Sequence, residues 1–64
     1  MKISNYWKEQ ISKAIRLYIE DNNKIRPRDG ILKDIDDFHV ILEVYGKDVF
    51  FSRSSIKRME VTDD

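Results

Sequence analysis

Apolar and polar residues change rhythm along this chain of 64 residues. Near the start, Trp7, Ile11, Ala14, Ile15 and Tyr18 recur every three or four positions, with Lys8, Glu9, Ser12, Lys13 and Arg16 largely between them. That period predicts an N-terminal helix, which Ser4 or Asn5 can cap. Overlapping its end, "AIRLYIED" alternates instead, with Ile15, Leu17 and Ile19 opposed by Arg16, Tyr18 and Glu20, the period of a strand. Two readings therefore stand: one long helix, or a helix through about residue 13 followed by a strand. Asp21-Asn22-Asn23 is a turn under either, because Asp and Asn tolerate left-handed backbone and cap their own turns.

Beyond that turn the pattern is β. Pro27 and Asp29-Gly30 disfavour helix, and Pro27 suits an edge or a bulge. Residues 31–35 and 38–45 are rich in Ile, Val, Leu, Phe and Tyr. In the second run Phe38, Val40, Leu42 and Val44 share one face, opposite His39, Ile41, Glu43 and Tyr45. Gly46-Lys47-Asp48 reads as a hairpin turn, "VFFS" (49–52) as a strand, and "IKRMEV" (56–61) as a last strand before a polar tail at 62–64. The expected fold class is α+β: an N-terminal helix, then a small, strongly bent four- or five-stranded antiparallel barrel in a single domain, 1–61. Curling so short a sheet buries one face and shelters its edges.

Size limits what such a domain can do. It lies near the lower bound for an independent core and has no cysteine for a disulfide staple or a thiolate metal site. Oligomerisation is a common remedy at this size. Twelve basic and twelve acidic residues cancel, so no global field draws in nucleic acid. The balance is uneven, however: residues 1–32 hold seven Lys/Arg against four Asp/Glu, and residues 33–64 five against eight. No apolar run approaches the roughly 20 residues that span a bilayer, and "MKISNYWKEQ" has no signal-peptide core. A soluble, cytoplasmic protein with no membrane association and no cofactor is the expectation.

Three pieces together resemble the Sm-like family, most closely its bacterial RNA-chaperone branch, Hfq. "IDDFHVIL" (35–42) is similar to the end of that family's first motif, with Gly30 and Leu32 upstream at the family's spacing. "LYIEDN" (17–22) resembles its first strand and turn, and "RSSI" (53–56) stands where the Hfq branch carries Lys-His-Ala-Ile. The resemblance implies a ring-shaped homo-oligomer, hexamer or heptamer, joined by edge strands, with "VFFS" and the 38–45 strand as the ring edges. It also implies single-stranded RNA, uridine- or adenine-rich, as the partner, and a role in post-transcriptional regulation. Carried over by position, Phe38 is a stacking platform, Asp37 a base-edge contact, Arg53 a phosphate or base contact, and Tyr18 a second stacking residue. Beside them, Lys57-Arg58 extends the basic surface of Arg53 or is only a solvated strand end. Asp36 takes the family's structural aspartate position, bonding loop amides.

Each of these residues has a plainer alternative. Asp34, Asp36 and Asp37 make an ordinary solvated bend, and they lack the loop pattern of a divalent-metal site. Lys24, Arg26 and Arg28 lie on one side of an extended segment, where a basic row tracks a phosphate backbone or discourages strand addition. Phe50 and Phe51 point to opposite faces of one strand, so that one packs under the helix and one in the barrel, or one is left for an interface. His39 reads as a satisfied or partly exposed side chain, and "SRSS" has no His-Asp partner for nucleophilic catalysis. An enzyme is not expected. Three classes remain: an Sm-like RNA-binding ring; a small barrel that binds another protein through Tyr6, Trp7, Tyr45 or Phe50; and a binder of duplex DNA through the basic N-terminal half.

Overall fold

The chain enters the fold through one helical turn, α1 (Asn5–Lys8), and then loosens. The computed structural model describes residues 5–62, so the expected cap Ser4 and the tail residues Asp63 and Asp64 lie outside the described residues. After α1, Gln10 N–H bonds to the Trp7 carbonyl at 3.1 Å and Lys13 N–H to the Gln10 carbonyl at 3.0 Å. Ser12 takes a left-handed φ of 82°. Its N–H donates to the Leu32 carbonyl at 2.7 Å, while Leu32 N–H donates to the Lys13 carbonyl at 2.9 Å. The expected helix through about residue 13, or beyond, is thereby corrected: it stops at Lys8, and the segment from Ala14 is strand. A short isolated helix is marginal in water, and pairing with a distant strand satisfies the same backbone groups.

Five strands follow: β1 (Ala14–Asp21), β2 (Lys24–Ile35), β3 (His39–Val44), β4 (Lys47–Ser52) and β5 (Ile56–Val61). They form one antiparallel sheet in the order β4-β3-β2-β1-β5. The basic segment and the apolar run after Gly30 are a single 12-residue strand. Asn22 and Asn23, at φ 50° and 65°, close the β1–β2 hairpin on the pair Asp21↔Lys24. Positive φ at both central residues matches the right-handed twist of a hairpin. The β3–β4 turn is Tyr45-Gly46, at φ 51° and 78°, closed by Val44↔Lys47. It comes one residue earlier than the expected Gly46-Lys47-Asp48, because the same twist requirement falls on two residues and Lys47 is already paired.

The sheet is strongly curled. Residues 24–31 of β2 pair with β1, while residues 31–35 pair with β3, so the two neighbours occupy different halves of the strand. Pro27 lies in the half that has no β3 partner, where its missing N–H disturbs no ladder. Next to the change of partner at Ile31, a Cβ on Gly30 would lie 2.9 Å from the Glu43 carbonyl oxygen and 3.1 Å from Leu42 Cβ. β4 and β5 are opposite edges of the sheet, yet only a 3-10 turn, Arg53–Ser55, separates Ser52 from Ile56. Four strand spacings of a flat sheet would be about 19 Å, whereas four residues reach at most about 14 Å. The edges must approach each other at that corner. The ladder does not continue from β4 to β5, and the sheet stays open.

Inside the curl sit Ile15, Leu17, Leu32, Ile35, Val40 and Leu42, with Trp7, Ile19, Val44, Phe51, Ile56, Met59 and Val61 packed around them. Full burial of such a side chain contributes about 1.5–3 kcal/mol. Gln10 is buried with them, its amide donating to the Tyr6 carbonyl at 3.0 Å. The paired phenylalanines divide: Phe51 lies opposite Val40 and against the core, and Phe50 lies opposite Ile41 on the outer face, 66% exposed. Phe50 is therefore not covered by the helix. α1 is too short to reach across the outer face, and Trp7 instead packs against the core.

Candidate nucleic-acid interface

The β2–β3 corner is held by one carboxylate. Asp36 Oδ1 accepts from the backbone N–H of Phe38 at 2.7 Å and of His39 at 2.6 Å, and Asp36 N–H donates to the His39 carbonyl at 2.9 Å. Those two amides, more than the nearby His39 and Arg53, hold the Asp36 carboxyl below the usual carboxylate range. Asp34 makes a smaller version of the same contact, accepting from Ile35 N–H at 2.8 Å. With its backbone drawn into this turn, Phe38 projects outward and is 74% exposed. Phe38 thus leaves the face of Val40 and Leu42 on which strict alternation placed it, because strand pairing has lapsed at residues 36–38.

The 3-10 turn between β4 and β5 is tied to this corner twice. Arg53 N–H donates to the Phe38 carbonyl at 2.8 Å, and Arg53 Nη1 donates to the Asp36 carbonyl at 2.9 Å. The first bond fixes the turn and the second fixes the plane of the guanidinium. Ser52 and Ser54 share a hydroxyl contact at 2.8 Å beside it. Together these segments line an open cavity of about 860 Å³, within the range typical of ligand sites.

Four of the five residues singled out from the sequence line that cavity: Phe38, Asp37, Arg53 and Lys57. Tyr18 does not. It stands on the outer face of β1, its hydroxyl donating to Glu60 Oε1 at 2.8 Å and its ring covered by the Arg58 guanidinium at 5.6 Å. Alternation along β1 sets this, since Leu17 and Ile19 take the core side. Arg58 lines the cavity as well as stacking on Tyr18, so Tyr18 borders the site through that side chain. Lys57 is charge-compensated by Glu20 at 3.0 Å, and Arg58 by Glu60 at 3.2 Å.

Several cavity residues were not among those expected to bind, His39, Trp7 and Met59 among them. His39 lines the cavity next to Phe38 in the chain, its Nδ1 3.9 Å from Asp36 Oδ1. Its position next to the predicted platform was the available signal. Trp7 and Met59 also line the space, and nothing in their local pattern separates them from ordinary core residues. The basic row Lys24, Arg26 and Arg28 runs along the far half of β2, cross-strand from Asp21, Ile19 and Leu17, and does not line the cavity. Among the described residues no group of three or more His, Cys, Asp or Glu is placed to hold a metal ion, and no helix is long and apolar enough to cross a membrane. Comparison of the chain with protein-family models, with curated proteins and with solved structures returns no match.

Proposed function

We propose that this chain is an Sm-like, single-stranded RNA-binding protein that works in the cytoplasm as a ring of six or seven copies, in post-transcriptional regulation. The observation that carries this reading is the convergence of Phe38, Asp37, Arg53 and Lys57 on one open cavity. An exposed aromatic gives any base a stacking surface, worth on the order of 1–3 kcal/mol, and fixed cations beside it suit a phosphate backbone. Asp36 and Arg53 pre-form the platform through backbone contacts, so little order has to be created on binding. The curled sheet with its edges brought together at residues 53–55 supports a barrel-like subunit. Its unpaired β4 and β5 edges, with Phe50 uncovered on β4, support edge-to-edge assembly into a ring.

The test is solution mass by light scattering at about 0.1 M salt, followed by fluorescence anisotropy with uridine-rich and adenine-rich RNA oligomers. A mass of six or seven subunits, with binding weakened by Phe38→Ala and Arg53→Ala, supports the reading. A monomer or dimer that binds no oligomer overturns it. A second reading then takes over, a module that binds another protein, favoured by the exposure of Phe50 and of the fully exposed Tyr45.

A further inference from the structure

We infer that the cavity prefers guanine among the four bases, with Asp37 reading its Watson–Crick edge and Arg53 its O6/N7 edge. This rests on the RNA-binding reading above and departs from the uridine or adenine preference that the family resemblance implies. Stacking on Phe38 cannot discriminate, because every base has a π-face. Discrimination falls to the polar groups around the platform, and the two charged ones flanking Phe38, Asp37 and Arg53, are each one-sided. An ionised carboxylate only accepts hydrogen bonds, and a guanidinium only donates them. Neither can turn over to suit a different pattern, as an amide can.

Guanine matches that pair. Its N1–H and N2–H2 are adjacent donors that fit the two oxygens of a carboxylate, and its O6 and N7 are adjacent acceptors that fit two arms of an arginine. Uracil offers one N–H flanked by two carbonyl oxygens, which a carboxylate repels. Adenine and cytosine each offer a single exocyclic amine beside a ring-nitrogen acceptor, so one carboxylate oxygen faces a lone pair. Arg53 uses Nη1 on the Asp36 carbonyl, which sets its plane and leaves its other N–H donors for a base. Asp37 is engaged within the chain. A carboxylate with about four lone-pair sites still keeps acceptors for a base edge. Asp37, Phe38 and Arg53 line the same cavity, and Arg53 N–H is bonded to the Phe38 carbonyl, which puts both charges on the cavity that holds the platform.

The carboxylate also imposes a cost on every RNA, because it stands close to a path that phosphates must share. Removing its charge therefore has two effects of opposite sign, which makes the inference testable. The probe is a short uridine oligomer carrying one central guanine, adenine, cytosine or uridine, titrated against the full chain at about 0.1 M salt by fluorescence anisotropy. The guanine oligomer is expected to bind on the order of tenfold tighter than the other three. Asp37→Asn is expected to cut that preference several-fold, to what Arg53 alone supplies, while leaving the other three bound equally or more tightly.

Base analogues give a second measurement on the unaltered protein. Inosine, which lacks the N2 amine, and 7-deazaguanine, which lacks N7, should each lose several-fold in affinity. Equal binding of all four oligomers, or no loss with inosine, overturns the inference and leaves RNA binding standing. Binding of none of them overturns the RNA reading, and the inference with it.

Discussion

Between β1 and β2 the chain reverses in two residues, Asn22 and Asn23, and the backbone does all the work: both take positive φ and the ladder resumes at once with Asp21↔Lys24. Between β2 and β3 it takes three residues, 36–38, and the ladder stops at Ile35↔Val40. There a side chain, Asp36, has to satisfy the amides that no strand reaches. The tip holds small polar residues, and they do not line the cavity of the corner. The corner displays Phe38 and Asp37 and receives Arg53 from the other end of the curl. A cavity forms at the second connection, where side chains set the geometry and the outward positions hold aromatic and charged residues.

The sharpest way to break this comparison is Phe38→Ala. If the corner exists for display, RNA affinity falls by roughly 5- to 150-fold, the loss of about 1–3 kcal/mol of stacking, with a nearly unchanged melting temperature. A stability loss like that of a core truncation, about 2–5 kcal/mol, would make Phe38 a packing residue instead. Paired anisotropy and thermal melts on one preparation decide between them.

Next in size is Asp36→Asn. The Phe38 and His39 amides hold the native carboxyl below its unfolded value, and the Arg16 guanidinium does the same for Asp29. The unfolded chain therefore takes up these protons first as pH falls. The stability they confer is present above the unfolded value near pH 4 and is lost as pH drops through the folded values below it. Asp36→Asn should lower the melting temperature at pH 7 more than Asp34→Asn does, and should flatten its fall below about pH 4. Melts followed by circular dichroism between pH 7 and pH 2 test this, and identical profiles for wild type and variant would remove Asp36 from its role at the corner.

Smaller effects are expected at the turns. Tyr45 carries a bulky side chain at φ 51° and is fully exposed. Asn tolerates that conformation better. Tyr45→Asn should thus raise the melting temperature by on the order of 4 °C. Asn23→Gly, at φ 65° in the other hairpin, should change it by less, because Asn already suits the turn. A large loss from Asn23→Gly would mean that the tip, like the corner, depends on a side-chain contact. Scanning calorimetry on the two variants ranks them.

Much of the molecule was written in local pattern. Ile15, Leu17, Val40 and Leu42 fall on alternating positions, and those are among the residues that reach the core. The paired asparagines mark the first hairpin, and Phe38 beside an aspartate bend marks the display corner. Tyr18 was named as a stacking residue, and strand parity alone takes it off the core face, to a partner in Glu60 and a cover in Arg58. His39, Trp7 and Met59 could not be assigned to the cavity from the chain, because their roles depend on which segments meet.

What the sequence alone determined, then, is which residues share a face and where the chain can turn, since both follow from periods of a few residues and from the φ that each side chain tolerates. Two things belonged to the tertiary structure. One is the end of the helix: "AIRLYIED" fits two periods equally, and the bonds that Ser12 and Lys13 exchange with Leu32 decide for the strand. The other is the site, for Arg53 meets Phe38 only because β2 changes partner from β1 to β3 at Ile31 and the sheet curls until its two edges share a corner. Curvature is a sum over the whole sheet, and no window of sequence contains it.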